Sequence, residues 1–202
     1  MRLVKAELLK ARRRSATWIV LVVTLVLMGV LYLLSGPVFK GLGVIEFPQA
    51  YVVIGQFAYG LGGLLALIYA AAFVGADWNW GVIRNVVARG ESREAYLLAK
   101  AAALAILLGI ALLILFLFGI VMSYVTGFAW DVPVASPLRA EGLSDLLTWI
   151  GLGFPVLLQR AAIGFAVAVI LRSQLAGSIV GVMFFFGESI VRYMLIFLSV
   201  GA

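Results

Sequence analysis

Five long apolar stretches, separated by short polar segments, dominate the chain. Residues 16–35, ATWIVLVVTLVLMGVLYLLS, carry no charge. About 20 apolar residues are needed for a helix to cross a hydrocarbon core. The stretch exceeds the roughly 7–15 apolar residues of a cleavable signal peptide, which predicts a retained span. Gly36-Pro37 is expected to end it. Further spans are predicted over about 55–76, 95–126, 147–171 and 176–200. Residues 36–54 and 127–146 carry the prolines and scattered charges of loops, and 172–175 is expected to be a tight turn. Ser92, followed by Arg93, Glu94 and Ala95, has the pattern of an N-cap opening the third span. A helix starting there is longer than a bilayer requires and should tilt or protrude.

Two polar segments have a helical pattern of their own. In residues 1–14, Met1, Val4, Leu8 and Ala11 fall on one stripe, while Arg2, Lys5, Arg12 and Arg13 lie mostly away from it. This suits a helix lying in the membrane interface and equally a basic flank that only fixes orientation. Within 77–94, Ile83, Val86 and Val87 share a face, with Arg84, Asn85 and Arg89 elsewhere. Gly90 stops that pattern. On pattern alone, an ordinary basic loop is the simpler reading of the segment. The second stretch is rich in Gly and Ala, and Gly55, Gly60, Gly62 and Gly63 are expected to form packing surface. Gly177 and Gly181 have the small-xxx-small spacing of a close helix contact.

Composition removes most alternatives. Hydrophobic residues make up 65% of the 202 positions and charged residues 12%, with a mean hydropathy of +1.18. A soluble domain is about half apolar and about a quarter charged. So few charges could not cover a water-soluble surface of this size, so lipid must solvate most of the chain. The fold class expected is all-α: a polytopic transmembrane helical bundle forming a single domain, with an interfacial amphipathic helix over 1–14. Cysteine and histidine are both absent. Disulfides, thiolate metal sites and the commonest general base are thereby excluded. No catalytic, cofactor-binding or metal-ligating residue is predicted, and an embedded enzyme is a poor fit.

The net charge of +6 then becomes a statement about topology rather than about nucleic acid. With the amino terminus inside, eleven basic residues fall on cytoplasmic segments and two, Lys40 and Arg139, on outer loops. Acidic residues outside the spans divide four and four. That asymmetry is what the positive-inside rule predicts. Three charges remain within spans: Arg160, Glu188 and Arg192. Counted from the 172–175 turn at about 1.5 Å per residue, Arg160 and Glu188 differ in depth by a few ångström. They are predicted to pair across two helices. Glu188 and Arg192 form the alternative pair, at i, i+4. The expected role is packing rather than substrate contact.

The wording of one segment carries a resemblance. GADWNWGVIRNVVARGESREAYLLAK is similar to the first cytoplasmic segment of ATP-binding cassette exporter permeases of the type-two class. Asp77, Trp80, Gly81, Val82, Arg84, Arg89, Gly90, Ser92, Arg93 and Lys100 stand at the family's motif positions, with Asp77 where Glu is commoner and Val82 where Thr is commoner. Ala6-Glu7-Leu8-Leu9-Lys10 also resembles that family, and the likeness spans roughly residues 1–125.

The resemblance implies a plasma-membrane permease subunit that forms a substrate pathway and pairs with a second permease copy or homologue. Two separate ATPase subunits would carry ATP and Mg. No Walker A pattern, G-x-x-x-x-G-K-[ST], occurs in this chain. The 78–90 helix would be the coupling helix: Trp80, Gly81, Val82, Ile83, Arg84, Val86, Val87, Arg89 and Gly90 would meet the ATPase. Family members usually have six spans, so five imply a chain one span short. A polytopic assembly factor or sensor subunit is the alternative function.

Overall fold

The computed structural model describes residues 2–42, 46–88, 90, 92–132, 134 and 140–200. The described residues fold into eight helices without strands: α1 Arg2–Arg13, α2 Ser15–Leu42, α3 Ala50–Tyr59, α4 Leu61–Asn79, α5 Val82–Ala88, α6 Arg93–Trp130, α7 Ala140–Ile170 and α8 Gln174–Val200. Five helical stretches are long and apolar enough to cross a membrane. The chain is an all-α polytopic bundle.

Helix α4 is its centre. It packs most extensively on α7 and α8, and it also meets α2, α3, α5 and α6. Its composition explains why: LGGLLALIYAAAFVGA presents small residues on several sides, and small residues let backbones approach where lipid supplies no hydrophobic drive between helices. A Cβ at Gly164 of α7 would collide with the Leu67 backbone of α4. At Gly177 of α8 it would meet Ala168 of α7, and at Gly181 the Leu67 side chain. Near the end of α4, Gly75 lies so close to the backbone of Gln174 that no side chain fits between them. The first turn of α8 is thereby fixed against the last turn of α4.

Several boundaries differ from the sequence-based expectations. Helix α2 runs through Gly36-Pro37 to Leu42; proline is tolerated in apolar spans where neighbouring groups re-satisfy the freed backbone. The second span is a broken pair rather than one helix over 55–76. It starts at Ala50 and turns at Gly60, whose φ of −78° and ψ of −94° lie outside the helical region. At that break Tyr59 donates to the Trp149 carbonyl at 2.5 Å and its ring stacks on the Trp149 ring. The 38 residues of α6 make it about 57 Å long at about 1.5 Å per residue. A hydrocarbon core is about 30 Å thick, so α6 must project beyond it. Ser92 caps its start, accepting from Ala95 N at 3.1 Å. Residues 171–173 make the α7–α8 turn, where Arg172 has a φ of 51°.

Candidate functional site

The end of the bundle that carries α1 and α5 holds a buried network of charges. Asp77 sits in the last turn of α4 and is fully buried. Lys100, also fully buried, lies two turns into α6 and reaches both Asp77 and Glu7, the latter at 3.1 Å. Lys10 of α1 reaches Asp77 at 3.1 Å and Glu7 at 3.6 Å. Arg14, at the joint between α1 and α2, reaches Asp77 at 3.3 Å and the Phe73 carbonyl at 3.4 Å. Tyr96 donates to Asp77 at 2.5 Å and lies 3.3 Å from Glu7. Aromatic faces close the site: Lys100 lies 4.5 Å from the centroid of Phe73, and Arg14 lies 5.0 Å from that of Trp80.

Two carboxylates therefore meet three cations, an excess of one positive charge. An isolated buried charge costs several kcal/mol, and it is retained only when its partners and hydrogen bonds are complete. Here each carboxylate has more than one donor. The geometry ties three elements into one unit: helix α1, the end of the central span and the start of the long span. Helix α5 is the link between the last two, so its root is fixed on both sides.

The sequence-predicted interface residues lie on and beside α5. Trp80 is exposed, at 68%, and Val82 and Val86 are half-buried. Ile83 is turned inward at 5% exposure, so it anchors α5 to the body rather than facing outward. Gly81 and Gly90 flank the helix with φ of 65° and 87°, the left-handed conformation that glycine adopts without strain. They make the two sharp corners that set α5 across the end of the bundle. The side chains of Arg84 and Val87, and the whole of Arg89, lie outside the described residues. Beneath α5 is a polar cavity of about 540 Å³ lined by Asp77, Trp78, Asn79, Gly81, Ile83, Arg93 and Arg172. Arg172 stacks over Trp78 at 5.4 Å, bringing the α7–α8 turn to the same place.

Between α7 and α8, Arg160 Nη2 stands 3.5 Å from Glu188 Oε1. Arg160 also lies 4.5 Å from the Phe185 ring centroid and packs on Gly63 of α4. Its Nη1 is buried without a hydrogen-bond partner. The Arg192 side chain lies outside the described residues.

Sequence reasoning missed the network: Asp77 and Lys100 stood out only as motif positions, and Glu7, Lys10, Arg14 and Tyr96 were not singled out as site residues. Three of them belong to the segment taken as an interfacial helix or basic flank. In the structure α1 packs against α6 and α2, and its Ala11 is fully buried. The available signal was the sign pattern: Asp77 and Lys100, each beside apolar residues at helix ends that meet, needed partners.

A model of the family described as ABC-2 family transporter protein matches residues 3–188. No curated protein and no solved structure matches the chain.

Proposed function

This chain belongs to the ABC-2 transporter family, a permease rather than a catalytic component, and we propose that it is the membrane subunit of an ATP-binding cassette exporter, driven by separate ATPase subunits. The observation that carries this reading is the setting of α5. A seven-residue helix with an exposed tryptophan before it is held across one end of the bundle by two glycine corners. Its root is fixed by a buried ionic network that joins α1, α4 and α6. A partner seated on α5 would therefore push on the central helix and the longest helix together. Rigid-body motion of packed helices is the ordinary response to such a push.

In this reading Trp80, Val82 and Val86 form the docking surface, with Arg84, Val87 and Arg89 completing it, and Ile83 serving as its inward root. Two ATPase subunits carry ATP and Mg, and a second permease copy or homologue completes the pathway. The α1 and α5 end faces the cytoplasm and the chain lies in the plasma membrane, as the basic asymmetry of its segments favours. Arg160 and Glu188 fix the packing of α7 against α8.

The test is co-purification of the chain with an ATPase subunit that carries a Walker A pattern. The wild-type chain should hold that subunit, and Val82→Asp with Val86→Asp should release it while the bundle stays folded. Retention by the double variant would contradict α5 as the docking helix. No ATPase bound by the folded wild-type chain would favour an assembly or sensor role instead.

A further inference from the structure

Beside the ionic network lies a cavity that the docking role leaves unused. It occupies about 410 Å³, chiefly between α1, α2, α4 and α6 with one residue each from α3 and α7, and its wall includes Leu8, Trp18, Leu21, Ala66, Ile106 and Leu115. Helix α2 lines it from Thr17 to Thr24, and α6 from Ile106 to Leu115. At about 1.5 Å per residue these stretches are roughly 10 and 14 Å long. One leaflet's share of the hydrocarbon core is about 15 Å. The cavity therefore runs from the level of α1 toward the midplane over about the length of one acyl leaflet.

Apart from Arg12 at its end, its walls are almost wholly apolar. The hydroxyls of Thr17 and Tyr69 pair with each other at 2.9 Å, and Thr24 donates to the Val20 carbonyl at 2.7 Å. Cavities lined by apolar groups stay dry and accept apolar guests. The rim residues Trp18, Ile106 and Ile110 are about half exposed, so the cavity opens sideways to lipid. At its α1 end stands Arg12, which is exposed and has no ion pair among the described residues. The Trp18 indole donates to the Arg12 carbonyl at 2.9 Å and ties the rim together.

We propose that this cavity is a phospholipid site, taking one acyl chain of an anionic lipid from the leaflet on the α1 side, with the lipid phosphate at Arg12. The charge complementarity is local: a guanidinium with no ion pair among the described residues stands at the α1 end of an apolar slot of about one leaflet's length. The site rests on α1 lying at the cytoplasmic headgroups and is independent of ATPase docking. A lipid seated there would press on Leu8, one residue from Glu7, and so bear on the ionic network from its lipid side.

Native mass spectrometry of the full chain in detergent tests the site, with phosphatidylglycerol or phosphatidylcholine added in equal amounts. One phosphatidylglycerol per chain should survive detergent stripping, with a preference of roughly fivefold over phosphatidylcholine. Arg12→Gln, at an exposed position, should remove the preference, and Arg12→Lys should restore most of it. Ala111→Phe, which fills the slot, should reduce retention of both lipids. Equal retention of the two lipids by the wild-type chain would overturn the proposal. So would unchanged preference in Arg12→Gln. Cross-linking of Ile110→Cys to a second copy in membranes would assign the cavity to a permease contact and overturn it as well. None of these readouts needs the ATPase, so failure here and failure of the exporter reading remain separate.

Discussion

The charges around Asp77 and those around Arg160 meet the same physical problem, ionised groups in a bundle solvated by lipid, by different means. Around Asp77, six ionic or hydroxyl side chains from α1, α4, α6 and the α1–α2 joint, Asp77 included, share their hydrogen bonds. Both Asp77 and Lys100 are fully buried. Around Arg160, one ion pair among the described residues, at 3.5 Å, leaves the Glu188 side chain 42% exposed and one guanidinium nitrogen without a hydrogen-bond partner. The first arrangement is closed and multiply tied; the second has one ion pair among the described residues and is open at Glu188. A closed network fails as a unit when one member is removed, whereas a pair open on one side changes less. The difference places the most tightly tied part of the described bundle at the α1 and α5 end.

The comparison can be broken first at Lys100. Lys100→Met removes the central cation and leaves Glu7 and Asp77 buried together. It should destabilise the bundle by about 3–5 kcal/mol, the usual result of breaking a buried pair. Unfolding in mixed detergent micelles would measure it. Asp77→Asn in the same background should recover part of the loss, because it removes the stranded charge. Strict additivity of the two substitutions would mean that they do not share a network.

A second, smaller effect tests whether that end depends on close packing. Gly75→Ala places a methyl group against the backbone of Gln174. It should cost about 1–3 kcal/mol by overpacking, visible as a lower thermal midpoint. An unchanged midpoint would show that α4 and α8 separate freely there.

The Arg160–Glu188 pair should respond more weakly still. Glu188→Gln is expected to cost about 1 kcal/mol, the scale of interhelical polar contacts in membranes. The charge swap Arg160→Glu with Glu188→Arg should recover part of the loss seen in either single exchange. A loss as large as that of Lys100→Met would erase the distinction between the two regions. Smallest of all, Ser92→Ala removes the cap of α6 and should cost about 1 kcal/mol or less. Hydrogen exchange at the first turn of α6 would report it, with faster exchange confined to that turn.

Much of the fold was legible because a span is a local signal. An apolar run of about 20 residues can satisfy its backbone only as a helix in lipid, so all five spans could be read directly. Ser92 was legible for the same reason, since a cap depends on three following residues. Even the Arg160–Glu188 contact could be anticipated, because a tight turn fixes the relative depth of two neighbouring helices. The break at Gly60 was not legible: its glycines and alanines are equally consistent with one straight span. Nor was the network. Glu7 and Lys100 are 93 positions apart, and no periodicity connects them. What brings them together is the packing of α1 on α6, which an amphipathic stripe of four residues does not specify. Ile83 shows the same limit, since the pattern grouped it with Val86 and Val87 but could not tell which of them turns inward.

The absence of cysteine makes one measurement direct. Single cysteines introduced by Trp80→Cys, Val86→Cys and, toward the far end of α2, Leu34→Cys can each be cross-linked in membranes containing the proposed ATPase subunit. The account predicts covalent adducts with the ATPase from the substitutions at Trp80 and Val86 and none from that at Leu34. An ATPase that still co-purifies with the chain but cross-links at neither α5 position would contradict it.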